Sequence, residues 1–204
     1  MTRTRTAGDL DLSASRRMLL AGALGMGGAG ALAGSAAAAG PTIPDDPRVR
    51  FYLTVSGVDG ESTAENHPKA IELLTWSFGV THTVSQSGGG GGAGKPTPAD
   101  FVFVSTMSKA SPKLYLAACT GRHLKSATLE VVSFGEGETP TQTVVLTDVQ
   151  VHSYQVAPGE VDGYPIEVGR LTYAKISLTE YVQSGDGSVH PVTVGFDFKA
   201  NRPT

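Results

Sequence analysis

Apolar and polar residues alternate along several segments of this chain, and that pattern limits it to a fold made mainly of β-strands. Residues 49–55 place an apolar side chain at every second position, which is typical of a half-buried strand. The segment 190–198 does the same from Val192 to Phe198. Other apolar, β-branched segments predict strands at residues 70–84, 101–106, 126–134, 143–155 and 170–182. About seven strands favour an antiparallel barrel of two packed sheets.

Glycine and proline residues indicate where the chain turns and where a strand bulges. The segment 70–84 is predicted as one long strand, bulged at Gly79. Turns between strands are predicted at residues 135–137, at Pro158-Gly159 and at residues 184–187.

One helix is predicted between residues 111 and 121. Ser111 supplies an N-cap and Pro112 a first-turn proline, while Gly121 provides the C-terminal stop. His123 is expected to bond a backbone carbonyl at the helix end. Cys119, the single cysteine, cannot form an internal disulfide. It is expected to be a small buried side chain, with a reactive thiol or an intersubunit bridge as alternatives.

A glycine-rich stretch from Gly88 to Lys95 contains the G-x-x-x-x-G-K pattern of a phosphate-binding loop. Such a loop needs a Ser or Thr after the lysine and a helix that begins there. Pro96 follows instead, and the next apolar segment reads as a strand. We therefore interpret the stretch as a glycine loop between two strands.

The first 39 residues have the features of a twin-arginine signal peptide. Arg16 and Arg17 precede an Ala/Gly-rich apolar segment, and residues 35–39 offer an A-x-A cleavage site. The apolar segment contains too many glycines for a stable membrane span of about 20 residues. Residues 40–48 then form a proline-rich tether, and the folded domain covers residues 49–203. We expect export by the twin-arginine translocase to the cell exterior, or to the periplasm where an outer membrane exists.

The charge of the mature domain argues against nucleic acid as a partner. The whole chain has a formal net charge of −3. Cleavage removes four arginines and two aspartates, so the remainder is more acidic. Basic patches with interleaved aromatic residues, which nucleic-acid binding requires, are absent from the sequence.

Motifs for catalysis or metal binding are also missing from the sequence. The five histidines lack zinc-ligand spacing, and the serines lack a G-x-S-x-G elbow. We therefore expect no cofactor, no metal and no enzymatic activity.

Six motifs in order resemble the Hcp (hemolysin-coregulated protein) family of type VI secretion tube proteins, over about residues 49 to 203. They are Gly60-Glu61-Ser62, Trp76-Ser77-Phe78-Gly79, the Gly88–Lys95 loop, Ser111-Pro112-Lys113-Leu114 through Gly121-Arg122-His123, Pro165-Ile166-Glu167 through Ile176, and Gly195-Phe196-Asp197 with Asn201.

The resemblance implies a β-barrel with a helix on its side, six copies in a ring, and rings that stack into a tube whose lumen holds small effectors. By this analogy two segments would be assembly loops: Asp59, Gly60, Glu61 and Ser62, and Gly88, Gly89, Gly90, Gly91, Gly92, Ala93, Gly94 and Lys95. The leader departs from the family, because a tube subunit assembles in the cytoplasm and needs no export signal.

A second class of function stays open at this point. The same barrel could act as a monomeric, secreted module that binds a glycan or a cell-wall polymer, with Trp76, Tyr115 or Tyr154 as the aromatic platform. The mass of the particle in solution distinguishes the two hypotheses.

Overall fold

The computed structural model describes residues 48–84, 93–135, 137–161 and 164–204. The predicted leader with Arg16 and Arg17, most of the tether, and Gly88 to Gly92 lie outside the described residues.

The described residues form ten strands and one helix. The strands are β1 Val49–Val55, β2 Ile71–Ser77, β3 Val80–Val84, β4 Ala93–Pro98, β5 Phe101–Thr106, β6 His123–Phe134, β7 Glu138–Val161, β8 Tyr164–Gln183, β9 Val189–Asp197 and β10 Arg202–Pro203, and the helix α1 is Ser111–Thr120. This part of the chain contains no helix long and apolar enough to cross a membrane.

Six antiparallel strands close into a barrel in the order β1, β2, β5, β8, β7, β6 and back to β1. Leu53 of β1 lies opposite Ile71 of β2 on one side and Leu129 of β6 on the other. The pairing of β7 with β8 closes the ring of strands. The predicted mainly β barrel with one short helix is therefore confirmed, with β9, β10 and the β3–β4 hairpin as additions.

Large apolar side chains fill the barrel. Phe101, Phe103 and Leu171 are completely buried. Phe103 lies opposite Gly169 on β8, and a Cβ at Gly169 would stand 2.2 Å from the Phe103 ring. Because Gly169 has no side chain, the Phe103 ring can occupy the space across the strand pair. Helix α1 adds Leu114 to the same core.

The predicted long strand at residues 70–84 is wrong. Strand β2 ends at Ser77 and pairs with β5, whereas β3 begins at Val80 and pairs with β4 in a separate two-stranded sheet. Phe78 and Gly79 separate them. The local composition is β-forming on both sides of this break, so the sequence pattern does not reveal that the two halves have different partners.

Two details of the predicted turns and caps are also wrong. Pro158 and Gly159 lie inside β7, where the register with β8 shifts between Ala157 and Val161, and this irregularity accommodates the proline. Ala110, not Ser111, is the N-cap residue of α1. The Ser111 hydroxyl accepts a hydrogen bond from the Ser108 N–H at 2.8 Å instead.

The C-terminal stop of α1 is confirmed, since Gly121 adopts a left-handed conformation with φ of 61°. His123 does not bond the helix end as predicted. Gln150 donates to the Gly121 carbonyl at 3.1 Å, and His123 faces Asp148. Cys119 is exposed rather than buried, because the buried stripe of α1 consists of Ser111, Leu114 and Ala117.

Candidate assembly surfaces

The second half of β8 separates from β5 and pairs with β9 along that edge, while residues 175–180 stay paired with β7 on the other edge. Ile166 to Leu171 pair with β5, whereas residues 175–183 pair along the same edge with β9. We call residues 175–183 and 189–197 the arm. The arm exists because β8 is much longer than β5.

One face of the arm continues the core-facing surface of the barrel. Leu178 lies opposite the buried Val144 of β7 on one side and Val194 of β9 on the other, so all three share a face. Further out this face loses its cover, and Val192 and Val194 are 56% and 62% exposed. An apolar sheet surface thus extends from the core into solvent.

The far end of the same face carries two polar side chains. Glu180 lies opposite Val192, and His190 lies opposite Val182. The Gln142 side-chain amide donates a hydrogen bond to Glu180. The apolar surface therefore has a polar rim, the arrangement typical of a protein interface.

The opposite face of the arm is polar. Thr179 and Thr193 share a hydrogen bond of 2.9 Å between their hydroxyls, and Lys175 forms a 2.8 Å ion pair with Asp197. The bond from Lys175, together with one from the Ala200 N–H, holds the pKa of Asp197 below its usual value. This face is suited to water, and the two faces of β9 differ sharply in character.

A groove of about 400 Å³ lies between the arm and the β3–β4 hairpin. It is almost entirely apolar and is lined by Phe78, Gly79, Val80, Pro96, Tyr173, Ile176, Leu178, Val194, Gly195, Phe196 and Phe198. Val80 is 60% exposed at its rim. The groove extends the apolar face of the arm toward the hairpin.

The outer edge of β9 is incompletely covered within the described residues. Strand β10 pairs with β9 only at Phe196 and Asp197, and the Thr204 N–H donates to the Gly195 carbonyl at 3.1 Å. A sheet edge with exposed valines is a ready surface for another chain.

The first candidate assembly loop, Asp59 to Ser62, is folded against the barrel. Asp59 and Glu61 are exposed, whereas Gly60 and Ser62 are buried. The Gly60 N–H donates to the Lys69 carbonyl at 2.7 Å. A Cβ at Gly60 would lie 2.2 Å from the Ala70 carbonyl oxygen, so only glycine fits this close approach.

Glu61 links this loop to the segment before α1. Its carboxylate accepts a hydrogen bond from the Lys109 N–H at 2.9 Å.

The second candidate assembly loop is divided by the structure. Ala93, Gly94 and Lys95 belong to strand β4, so the predicted loop is shorter than the sequence pattern indicated. His82 of β3 lies opposite Pro96 of β4. The prolines of β4 are tolerated because this hairpin forms a sheet of only two strands.

A polar cluster lies at the mouth of a second cavity of about 460 Å³, whose lining includes His123, Asp148, Tyr173 and Lys199. Lys199 and then His123 bond the Asp148 carboxylate and hold its pKa below the usual value. Gln150 Nε2 lies 2.8 Å from His123 Nε2. Both ring nitrogens of His123 thus have protein partners.

Two of the three aromatic platform candidates belong to the interior. The Trp76 ring lies between Phe51 and Phe78, in edge and stacked contacts with centroids 6.2 and 5.7 Å away. Burial and the neighbouring Glu167 carboxylate raise the pKa of the Tyr154 phenol. Tyr115 alone of the three is well exposed, on α1.

Sequence reasoning missed one ionic cluster around His67. The ring of this buried histidine lies between the carboxylates of Glu130 and Glu138. The three residues are far apart in the chain, and only the barrel register brings them together. No local sequence signal marks them.

The fold is a closed β-barrel that carries an apolar arm and an apolar groove. These features are typical of a structural protein that contacts other chains. A family model described as "Type VI secretion system effector, Hcp" matches residues 52–180. Protein hcp1 of Pseudomonas aeruginosa is 30% identical over 158 residues, which cover 75% of this chain and 97% of that protein. The chain belongs to the Hcp family.

Solved structures agree with this assignment. The crystal structure of Hcp1 from Salmonella typhimurium is similar with a TM-score of 0.64 and 25% identity, covering 77% of this chain and 99% of that one. A structure of a type six secretion system protein gives a TM-score of 0.69 and 26% identity, covering 76% and 99%. The chain is thus an Hcp-like structural protein, and the glycan-binding alternative is not favoured.

Proposed function

We propose that this protein assembles into homo-hexameric rings, through which it serves as a secreted, non-enzymatic carrier. The observation that carries the proposal is the apolar face of the arm, where Val192 and Val194 continue the barrel core into solvent. Exposed apolar surfaces of this kind, rimmed by polar residues, mark protein contacts. Membership of the Hcp family supports a second copy of the chain as the partner.

A ring fits the geometry of the arm better than a two-fold dimer does. The arm lies at one side of the barrel, and its apolar groove faces the β3–β4 hairpin. We propose that the arm contacts a different patch on the next copy, which gives a heterologous interface that closes as a ring when the rotation between copies allows closure. Such closure would also cover the β9 edge.

Light scattering after gel filtration of the full chain tests the proposal. The expected mass is six times that of one 21.1 kDa chain, or six times the cleaved chain if the leader has been removed. A strict monomer at micromolar concentration would overturn ring formation and reopen the monomeric binding module.

The ring is proposed to hold a small effector in its lumen and to perform no chemistry. In support, both ring nitrogens of His123 have protein partners. Two of the three aromatic platform candidates are packed against the core. A protein that copurifies with the ring, and is lost when the ring dissociates, would identify the cargo.

Export is proposed to follow the twin-arginine route, on the basis of Arg16 and Arg17 before the apolar segment. This route carries folded proteins, so the barrel would fold in the cytoplasm. The double variant Arg16→Lys with Arg17→Lys is expected to stay in the cytoplasm. Unimpaired secretion of that variant would remove the assignment.

A further inference from the structure

A buried histidine fastens the connection between β1 and β2 to the barrel. His67 is 8% exposed. It lies in a turn, where its own N–H donates to the Ala64 carbonyl at 3.1 Å. Its ring stacks on Tyr52 of β1 with centroids 4.2 Å apart and planes 7° apart. We call residues 57–70 the latch loop.

Both ring nitrogens of His67 face carboxylates on different strands. Nδ1 lies 3.1 Å from Glu130 Oε2 on β6, and Nε2 lies 2.5 Å from Glu138 Oε1 on β7. A neutral imidazole has one donor and one acceptor, so it can satisfy only one of two ionised carboxylates. An imidazolium satisfies both, through two charge-assisted hydrogen bonds. The geometry is that of the protonated ring.

Hydrogen bonds connect the rest of the latch loop to His67 and to its carboxylate partner Glu138. The Asn66 side chain donates to Glu138 Oε2 at 3.1 Å, and the Ala70 N–H lies 3.3 Å from the His67 carbonyl oxygen. The Lys69 N–H donates to the Ser62 carbonyl at 2.8 Å, and the Ser62 N–H donates to the Ala70 carbonyl at 3.0 Å. Displacement of His67 would therefore loosen the hydrogen-bonded segment that keeps the loop from Asp59 to Ser62 in place.

Other charged groups also lie around the cluster. Burial and then the Glu72 charge raise the pKa of Tyr52, against a lowering by Arg50. On the exposed side Lys69 Nζ lies 3.5 Å from Asp59. Among these residue types only histidine ordinarily changes charge between about pH 5 and 8.

We propose that His67 is a pH-sensitive latch, which holds the latch loop on β6 and β7 when its ring is doubly protonated and releases it when the ring loses a proton. The direction follows from the bonds. The protonated ring is the bound form, so the fastening is complete at acidic pH and is lost as the pH rises. The latch does not depend on a ring of subunits.

Amide hydrogen exchange on the full chain between pH 5.5 and 8.5 tests the latch. Protection factors, corrected for intrinsic exchange, are compared for latch-loop amides at Gly60, Ser62 and Lys69. We expect protection to fall about tenfold as pH rises, the effect of losing one charge-assisted hydrogen bond. Amides of β6, such as that of Leu129, are the internal reference and should stay unchanged.

Two variants and one matched control sharpen the test. His67→Gln removes the titrating group, and Glu138→Gln removes one carboxylate at constant size. His67→Gln is expected to make latch-loop protection independent of pH and close to the high-pH value of the wild type. Glu138→Gln leaves an amide that can donate to Nε2 of the neutral ring, so its latch-loop protection is expected to depend less on pH than that of the wild type. His123→Gln changes the exposed histidine that faces Asp148, and it should retain the full wild-type dependence.

A spectroscopic measurement keeps the proposal falsifiable if either variant fails to fold. The nitrogen chemical shifts of the His67 ring in the wild type should report two protonated nitrogens wherever the latch loop is protected. A neutral ring at pH 6 with a fully protected loop would overturn the latch, as would equal protection across the pH range. The particle mass recorded in the same samples tests ring formation separately.

Discussion

The two halves of strand β8 are both rich in β-branched and aromatic residues but have very different surroundings. Residues 166–174 lie in the barrel wall, where β7 flanks them on one side and β5 flanks residues 166–171 on the other, and most of them are buried. Residues 176–183 lie in the arm, where every side chain is partly or well exposed. The two halves differ in whether the sheet around them closes into a barrel. In the barrel the apolar face meets the opposite wall, whereas in the arm the described residues leave it partly open.

The comparison separates two uses of apolar residues. In the barrel, Phe103 and Leu171 contribute to the free energy of folding of one chain. In the arm, Val192 and Val194 gain little from folding, since they remain more than half exposed. Their burial would become favourable only on contact with another chain.

The largest expected effect is on the stability of the barrel. Leu171→Ala leaves a cavity in a closed core and should lower the free energy of unfolding by about 2–5 kcal/mol. The matched change Val189→Ala, on the polar face of the arm where the valine is 45% exposed, should cost less than about 0.5 kcal/mol. Urea unfolding at equal subunit concentration measures both. Equal losses would contradict the distinction between barrel and arm.

A smaller effect is expected from two glycines, one in each region. Gly169→Ala places a Cβ 2.2 Å from the Phe103 ring inside the barrel, and should cost about 1–3 kcal/mol. Gly195→Ala in the arm meets the Thr204 hydroxyl at 2.3 Å, which is the end of a side chain that can rotate aside, and the nearest backbone atom is the Ile176 carbonyl oxygen at 3.3 Å. We expect thermal unfolding to show the larger loss for Gly169→Ala, and the reverse order would be inconsistent with a rigid barrel and a compliant arm.

The smallest effect is expected for the ion pair at the base of the arm. Lys175 holds the pKa of Asp197 below its ordinary value, so the ionised form stabilises the folded state. That contribution is present above the ordinary carboxyl pKa of about 3.9 and is lost as pH falls through the lower, folded value. Melting temperatures measured from pH 7 to pH 2.5 should therefore fall less steeply for Asp197→Asn than for the wild type. Parallel curves would argue against the pair.

Local sequence patterns were sufficient to predict the features that do not depend on which distant strand is the partner. Alternation in residues 49–55 was enough for β1, and Gly121 was enough for the end of α1. The break at Phe78-Gly79 was not predictable in the same way, because β2 and β3 are both β-forming and differ only in their distant partners. The exposure of Cys119 follows from the helical stripe of Ser111, Leu114 and Ala117, which the spacing already contained.

The candidate surfaces were harder to predict than the fold. Val192 and Val194 read as an ordinary core face, and only the register with β8 shows that they extend beyond the barrel. The His67 cluster depends on strands β6 and β7, more than 60 residues away in the chain. Long-range pairing of this kind leaves no mark in local composition.

Native mass determination of two variants on adjacent residues tests whether the arm is the assembly surface. Val194→Lys places a charge on the apolar face of the arm, whereas Thr193→Lys places the same charge on the polar face one residue away. We expect a hexamer for the wild type and for Thr193→Lys, and single subunits for Val194→Lys. A hexamer for Val194→Lys, unchanged from the wild type, would contradict the assignment of the arm as the assembly surface.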